Sequence, residues 1–102
     1  METELTADLF KPLEGQTFRI HVQEGEPVNA ELIEVRGLQG DTVRADKSPF
    51  SLLFRGPADA PLQQSIFAIE HDDLGELHLF LVTVGPDPDH DGRGMLYEAV
   101  FT

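Results

Sequence analysis

An all-β domain is what this 102-residue chain predicts, and three features of the sequence point there. Short runs alternate apolar and polar residues with the period of a strand; Gly, Pro and Asp punctuate the intervals between them; and no helical stretch separates one run from the next. About six such runs, joined by short connections, predict a single antiparallel sheet curled into a small barrel or folded into a sandwich. The absence of intervening helices argues against a parallel α/β arrangement.

A helical turn over 6–13 comes first, where Thr6 is placed to cap and Pro12 limits extension. The run Q-T-F-R-I-H-V follows, with Phe18, Ile20 and Val22 on one face and Thr17, Arg19 and His21 on the other. In V-N-A-E-L-I-E-V-R-G-L the adjacent Leu32 and Ile33 break the alternation, which predicts a bulge or a strand covered on both faces. Gly37 and Gly40 punctuate the polar connection after it. Pro49 then opens F-S-L-L-F-R-G-P, in which Phe50, Leu52 and Phe54 share a face. The runs S-I-F-A-I-E-H and E-L-H-L-F-L-V-T-V-G flank D-D-L-G and predict a hairpin, with Gly75 supplying the positive φ of its tight turn. The last run, M-L-Y-E-A-V-F-T, sets Tyr97, Ala99 and Phe101 on one face.

Length and composition bound the rest. A chain this long carries one domain, 1–102, with one core. An apolar fraction of 40% and a charged fraction of 25% are those of a folded protein. The formal charge of −12 is unevenly spread, because no Lys or Arg lies between Arg55 and Arg93, while Asp59, Glu70, Asp72, Asp73, Glu76, Asp87, Asp89 and Asp91 do. Binding to phosphate backbones or anionic lipid draws on cationic side chains, so nucleic acid and membrane are poor partners. The same charge confers solubility, or offers a docking face to a basic partner or a cation. No run reaches the roughly 18 apolar residues of a membrane span. Acids stand where a signal peptide carries lysine or arginine, so the cytoplasm is the default location, with non-classical export open.

The fifth run is apolar on both faces, with Leu77, Leu79 and Leu81 on one and Phe80, Val82 and Val84 on the other. A small barrel has one interior, so the second face is to be covered either by Leu5, Leu9, Phe10 and Leu13 of the same chain or by another subunit. The last run, if it lies at a sheet edge, offers a second route to pairing with another chain.

The motif richest in chemistry is D-P-D-H-D-G-R-G-M-L-Y-E over 87–98. Asp87, Asp89 and Asp91 at positions one, three and five, Gly92 at six and Glu98 at twelve match the ligand pattern of an EF-hand calcium loop. Its context does not: an EF-hand loop joins two helices, Pro86 and Pro88 break any entering helix, and Glu98 alternates with Tyr97 and Ala99 as the exposed member of a strand. A solvated hairpin loop explains the segment more simply, with calcium as the alternative ligand. His71 and His78 bracket the D-D-L-G turn beside Asp72 and Asp73, a grouping suited to a transition metal or to general-base work, although turns favour Asp for backbone reasons alone. There is no cysteine, and Ser48, Ser51 and Ser65 lie in no G-x-S-x-G elbow. G-R-G-M-L-Y fits neither a dinucleotide nor a P-loop pattern. No catalytic residue is assigned.

The segments F-K-P-L-E-G-Q-T-F, F-S-L-L-F-R-G-P, L-Q-Q-S-I-F-A-I-E-H, L-G-E-L-H-L-F-L-V-T-V-G-P and Y-E-A-V-F-T resemble a family of small bacterial all-β domains of unknown function. The likeness spans most of the chain and is least distinctive over 23–48. The resemblance implies an association with phage-tail-like and tail-collar proteins, hence assembly or interaction rather than turnover, and it supplies no catalytic residues. In its light Arg55, the cation beside the long acidic region, either anchors a strand corner or joins Gln63, Asp72 and Asp73 in an interaction patch. The sequence therefore supports a non-enzymatic structural or interaction module without a cofactor, self-assembling as a homo-oligomer or binding a protein partner. A calcium-responsive module using Asp87, Asp89, Asp91 and Glu98 is the alternative, and a small metal-dependent hydrolase at His71 and His78 a more distant one.

Overall fold

The computed structural model describes residues 6–22, 25–37, 49–57, 62–88 and 94–101. A short helix α1 (Ala7–Phe10) runs into a 3-10 turn (Lys11–Leu13). The strands β1 (Thr17–His21), β2 (Val28–Gly37), β3 (Phe50–Pro57), β4 (Ser65–His71), β5 (Gly75–Pro86) and β6 (Gly94–Phe101) follow. All neighbours are antiparallel and the strands close into a barrel in the order β1-β2-β3-β6-β5-β4. Of the two architectures the sequence allows, the barrel is the one formed. The last strand is not an edge, because β6 is paired to β3 on one side and β5 on the other.

Alternation sets the interior. Phe18 and Ile20 of β1, Leu52 and Phe54 of β3, Ile69 of β4, Leu79 and Leu81 of β5, and Tyr97 and Ala99 of β6 are all buried. In β2 the register shifts between Leu32 and Glu34, a bulge that keeps Leu32 inside, leaves Ile33 half-buried and restores the inward position at Val35. The hairpin of β4 and β5 turns through residues 72–74, with Gly75 at φ +75°.

The N-terminal segment enters the barrel rather than lying on its outside. The Thr6 hydroxyl accepts the Leu9 N–H at 3.2 Å, and Pro12 sits where the chain tightens into the 3-10 turn. The segment thus carries Phe10 and Leu13 into the core. Phe10 lies 6.1 Å from Phe50 and 6.0 Å from Phe101, two rings that stack at 4.5 Å across β3 and β6, so the three aromatics plug one barrel end. The expected covering of the outer face by Leu5, Leu9, Phe10 and Leu13 is therefore corrected for Phe10 and Leu13, and Leu5 lies outside the described residues. The outward Ile66, Phe80, Val84 and Val100 remain 67%, 49%, 55% and 51% exposed.

Strand β1 is short, and both of its ends matter. Its pairing to β2 starts at Thr17↔Glu31, so β2 runs on from Leu32 without β1 beside it. The chain before β1 fills that space: Gly15 N–H donates to Leu32 C=O at 2.7 Å, Leu32 N–H to Gln16 C=O at 2.9 Å, and Val35 N–H to the Glu14 carboxylate at 2.7 Å. At its other end β1 stops at His21↔Ala68, while β4 continues back to Ser65.

Replacing Phe10 with Ala removes the plug and leaves a cavity between Phe50 and Phe101. The expected loss is about 3–5 kcal/mol in urea unfolding with an unchanged slope. A loss below about 1 kcal/mol would place Phe10 outside the core.

Candidate functional site

Arg55 stands near the end of β3, at the barrel end opposite the aromatic plug, where β6 begins and β5 finishes. Register places Glu31 beside it on β2 and Leu96 on β6. Its guanidinium donates to Glu31 at 2.5 Å and to Asp87 at 3.3 Å, with side chains 24% exposed for Arg55 and 6% for Asp87. The Asp87 N–H donates to Gly94 C=O at 2.8 Å, which fixes the carboxylate under the guanidinium. Gly94 is buried, and a Cβ there would stand 2.8 Å from both Cγ and Cδ of Arg55, so the arginine stem occupies the space a side chain would need. An open cleft of about 270 Å³ lined by Thr17, Asn29, Glu31, Arg55 and Pro57 lies alongside. Of the two expected roles for Arg55, the geometry displays the anchor: a cation tying β3 to β2 and to the end of β5.

The same corner places the two described ends of the calcium pattern, Asp87 and Glu98, apart from each other. Asp87 is held against Arg55, whereas Glu98 pairs with Leu53 and Val82 four residues further along β6 than Gly94, about 13 Å at the rise of a strand. The Arg36 pKa is raised chiefly by its hydrogen bond to Glu34, with a smaller electrostatic contribution from Glu98. Asp89 and Asp91 lie outside the described residues. Among the described residues no three His, Asp or Glu side chains group as a metal site requires.

The two histidines of the hairpin do not meet. His71 faces inward and is 4% exposed: its Nδ1 accepts the Asp73 N–H at 3.0 Å, so Nε2 carries the proton and donates to Gln16 Oε1 at 2.7 Å, and the ring lies 4.6 Å from Phe18. His78 pairs with Ala68, points to solvent and contacts Glu76 at 3.3 Å. One histidine is a core residue and the other a surface one, separated by the sheet itself.

The proposed patch of Arg55, Gln63, Asp72 and Asp73 is likewise divided. Asp72 and Asp73 lie at the turn near the plugged end, with Asp72 paired to Arg19 at 2.9 Å. Arg55 and Gln63 belong to the other end, on walls three places apart in the ring. The Arg19 pKa is raised, chiefly by the hydrogen bond to Asp72, with Glu70 adding to it.

A feature that alternation announced but did not locate is an apolar row on the outside. Phe80 faces Ile66 across β4 and β5, and the Val82↔Glu98 register carried two residues on sets Val100 beside Phe80. Ile66, Phe80 and Val100 thus cross three strands, with Val84 further along β5, and β4, β5 and β6 contain no Lys or Arg.

Residues 5–101 match the family described as Domain of unknown function (DUF6916). The chain belongs to that family. The match fits the expected uncharacterised small domain, and the family's description names no activity, partner or source. No curated protein and no solved structure matches the chain. No helix among the described residues is long and apolar enough to cross a membrane.

Arg55→Ala is expected to cost about 3 kcal/mol by leaving Asp87 buried without this cation. Gly94→Ala should cost about 1–3 kcal/mol in the native background and close to nothing beside Arg55→Ala, since the clashing stem is gone. Additive losses in a urea double-mutant cycle would show that the arginine stem is not what excludes a side chain at position 94.

Proposed function

We propose that this domain is a non-enzymatic interaction module that engages protein through the outer face of β4, β5 and β6. The observation that carries this reading is the row of Ile66, Phe80 and Val100, large apolar side chains left at solvent by a barrel whose interior is already filled. Contiguous apolar surface of this kind, rimmed by polar groups, marks protein-binding sites more often than scattered single residues do. The non-catalytic part is supported by the titratable side chains, which are engaged in holding strands: His71 with Gln16, Asp87 with Arg55, and Glu70 with Arg19 and His21. Assembly within a phage-tail-like structure, in the cytoplasm of a bacterial cell, is the specific setting that the sequence resemblance suggests for this module.

The charge of −12 keeps copies of the chain apart at low salt, and at about 1 M salt the screening length falls to about 3 Å. Light scattering should then show a mass above the 11.3 kDa monomer for the native chain at high salt, and the monomer mass for Phe80→Ser with Val100→Ser. Identical masses for the two proteins at every salt concentration would remove the row as a binding surface.

A further inference from the structure

Two buried side chains among the described residues, Asp87 and His71, bear or can take a charge near neutral pH, and the fold finishes them differently. Asp87 faces a cation, Arg55, whereas among the described residues no carboxylate pairs with His71. The His71 Nδ1 accepts the Asp73 N–H at 3.0 Å, its Nε2–H donates to Gln16 Oε1 at 2.7 Å, and the ring lies 4.6 Å from that of Phe18. The imidazole thereby ties the turn after β4 to the segment before β1, across the three residue pairs that close the barrel. The elements around it bring no charge inward: β1 presents Phe18 and Ile20 to the core, and β5 presents Leu77 and Leu79. Their charged groups face outward or are engaged, Arg19 with Glu70 and Asp72, His21 with Glu70, Glu76 with His78, and Glu14 with the Val35 N–H. Asp72 and Asp73, on the turn itself, are exposed.

A neutral imidazole offers one donor and one acceptor, and an imidazolium offers two donors. An added proton would fall on Nδ1, the atom that accepts here, and set N–H against the Asp73 N–H. Either the turn withdraws or the ring leaves its place against Phe18, and a charge kept in place would stand in the core without a partner. We propose that His71 is a proton-operated latch on the β1–β4 seam, closed while the ring is neutral and released in mild acid. The sign follows from linkage. In an unfolded chain a histidine takes up its proton near pH 6.5, at about its ordinary value, while this fold accommodates the neutral ring. Acid therefore adds the proton to the unfolded chain, and the latch's contribution, whole above about pH 7.5, is lost as the pH falls below about 6.5. Two effects run the other way. Protonated His21 pairs better with Glu70, but that pair is exposed and contributes little, and acid also eases the mutual repulsion within a chain of charge −12. The latch is thus read as a difference between two chains that share both effects. It lies inside the barrel, apart from the apolar row on the outer face, and does not rest on the interaction reading.

The test compares urea unfolding of the full-length native chain and of His71→Asn at about pH 7.5 and about pH 5. Asparagine keeps an oxygen for the Asp73 N–H and does not titrate. Between the two pH values the folding equilibrium constant of the native chain should fall, relative to that of the variant, by about thirtyfold, the factor one histidine proton supplies when the folded state takes none. His21→Gln should keep the acid loss of the native chain. Agreement between native and His71→Asn to within about threefold would overturn the proposal. Should the variant not fold, nitrogen NMR and amide exchange of the native chain decide alone. The latch predicts an Nε2-protonated, neutral His71 ring in the folded protein at both pH values. It also predicts that exchange of the Asp73 amide and of the seam amides of β4, corrected for the intrinsic rate, quickens in acid. A folded chain at about pH 5 with both ring nitrogens protonated would overturn it, as would corrected exchange that does not change with pH.

Discussion

Closure of the barrel between β1 and β4 is the constraint on which the rest of the structure depends. Without it the six strands would form an open sheet, and Phe18, Ile20 and Ile69 would lose the enclosure that makes them core. Yet the seam consists of three residue pairs, Arg19↔Glu70, Ile20↔Ile69 and His21↔Ala68. Outside it, Arg19 reaches Glu70 and Asp72 and His21 reaches Glu70, but these pairs stand in water and contribute little. Inside it, Phe18 lies against both Phe54 and His71, and His71 is tied to Gln16. The seam is held by the buried side of β1, through apolar area removed from water and a histidine whose two nitrogens are both engaged.

The opposite ends of the barrel are finished by different chemistry. One is closed by apolar contact, Phe10 against Phe50 and Phe101. The other is tied by charge, Arg55 between Glu31 and Asp87 with Gly94 making room for the arginine stem. The acidic excess of the chain is therefore not idle surface throughout, because Asp87 and Glu31 hold strands. The two ends therefore answer to different substitutions, loss of an aromatic opening the plugged end and loss of Arg55 loosening the charged one.

Much of the fold was legible because alternation reports burial directly. Phe50, Leu52 and Phe54 read as one inward face and are one, and the adjacent Leu32 and Ile33 read as a bulge and mark one. What alternation does not carry is which residues meet. His71 and His78 lie on the two sides of a turn, but with His71 opposite Gly75 the partner of His78 is Ala68, which sends the two imidazoles to opposite faces. That outcome depends on the turn length to a single residue. Nor does the Asp87–Glu98 spacing carry the arginine that arrives from β3 to pair with Asp87. Phe10 looked like a cover for the outside because hydrophobicity gives the need for burial and not the place.

Residue-resolved hydrogen exchange along β4 in the unliganded protein tests the central claim most directly. The account predicts that the amides of Ala68–Glu70 that point toward β1 exchange as slowly as those between β3 and β6. Fast exchange of those seam amides beside protected β3 and β6 would mean that the barrel is open between β1 and β4, and the closure on which the account rests would not exist.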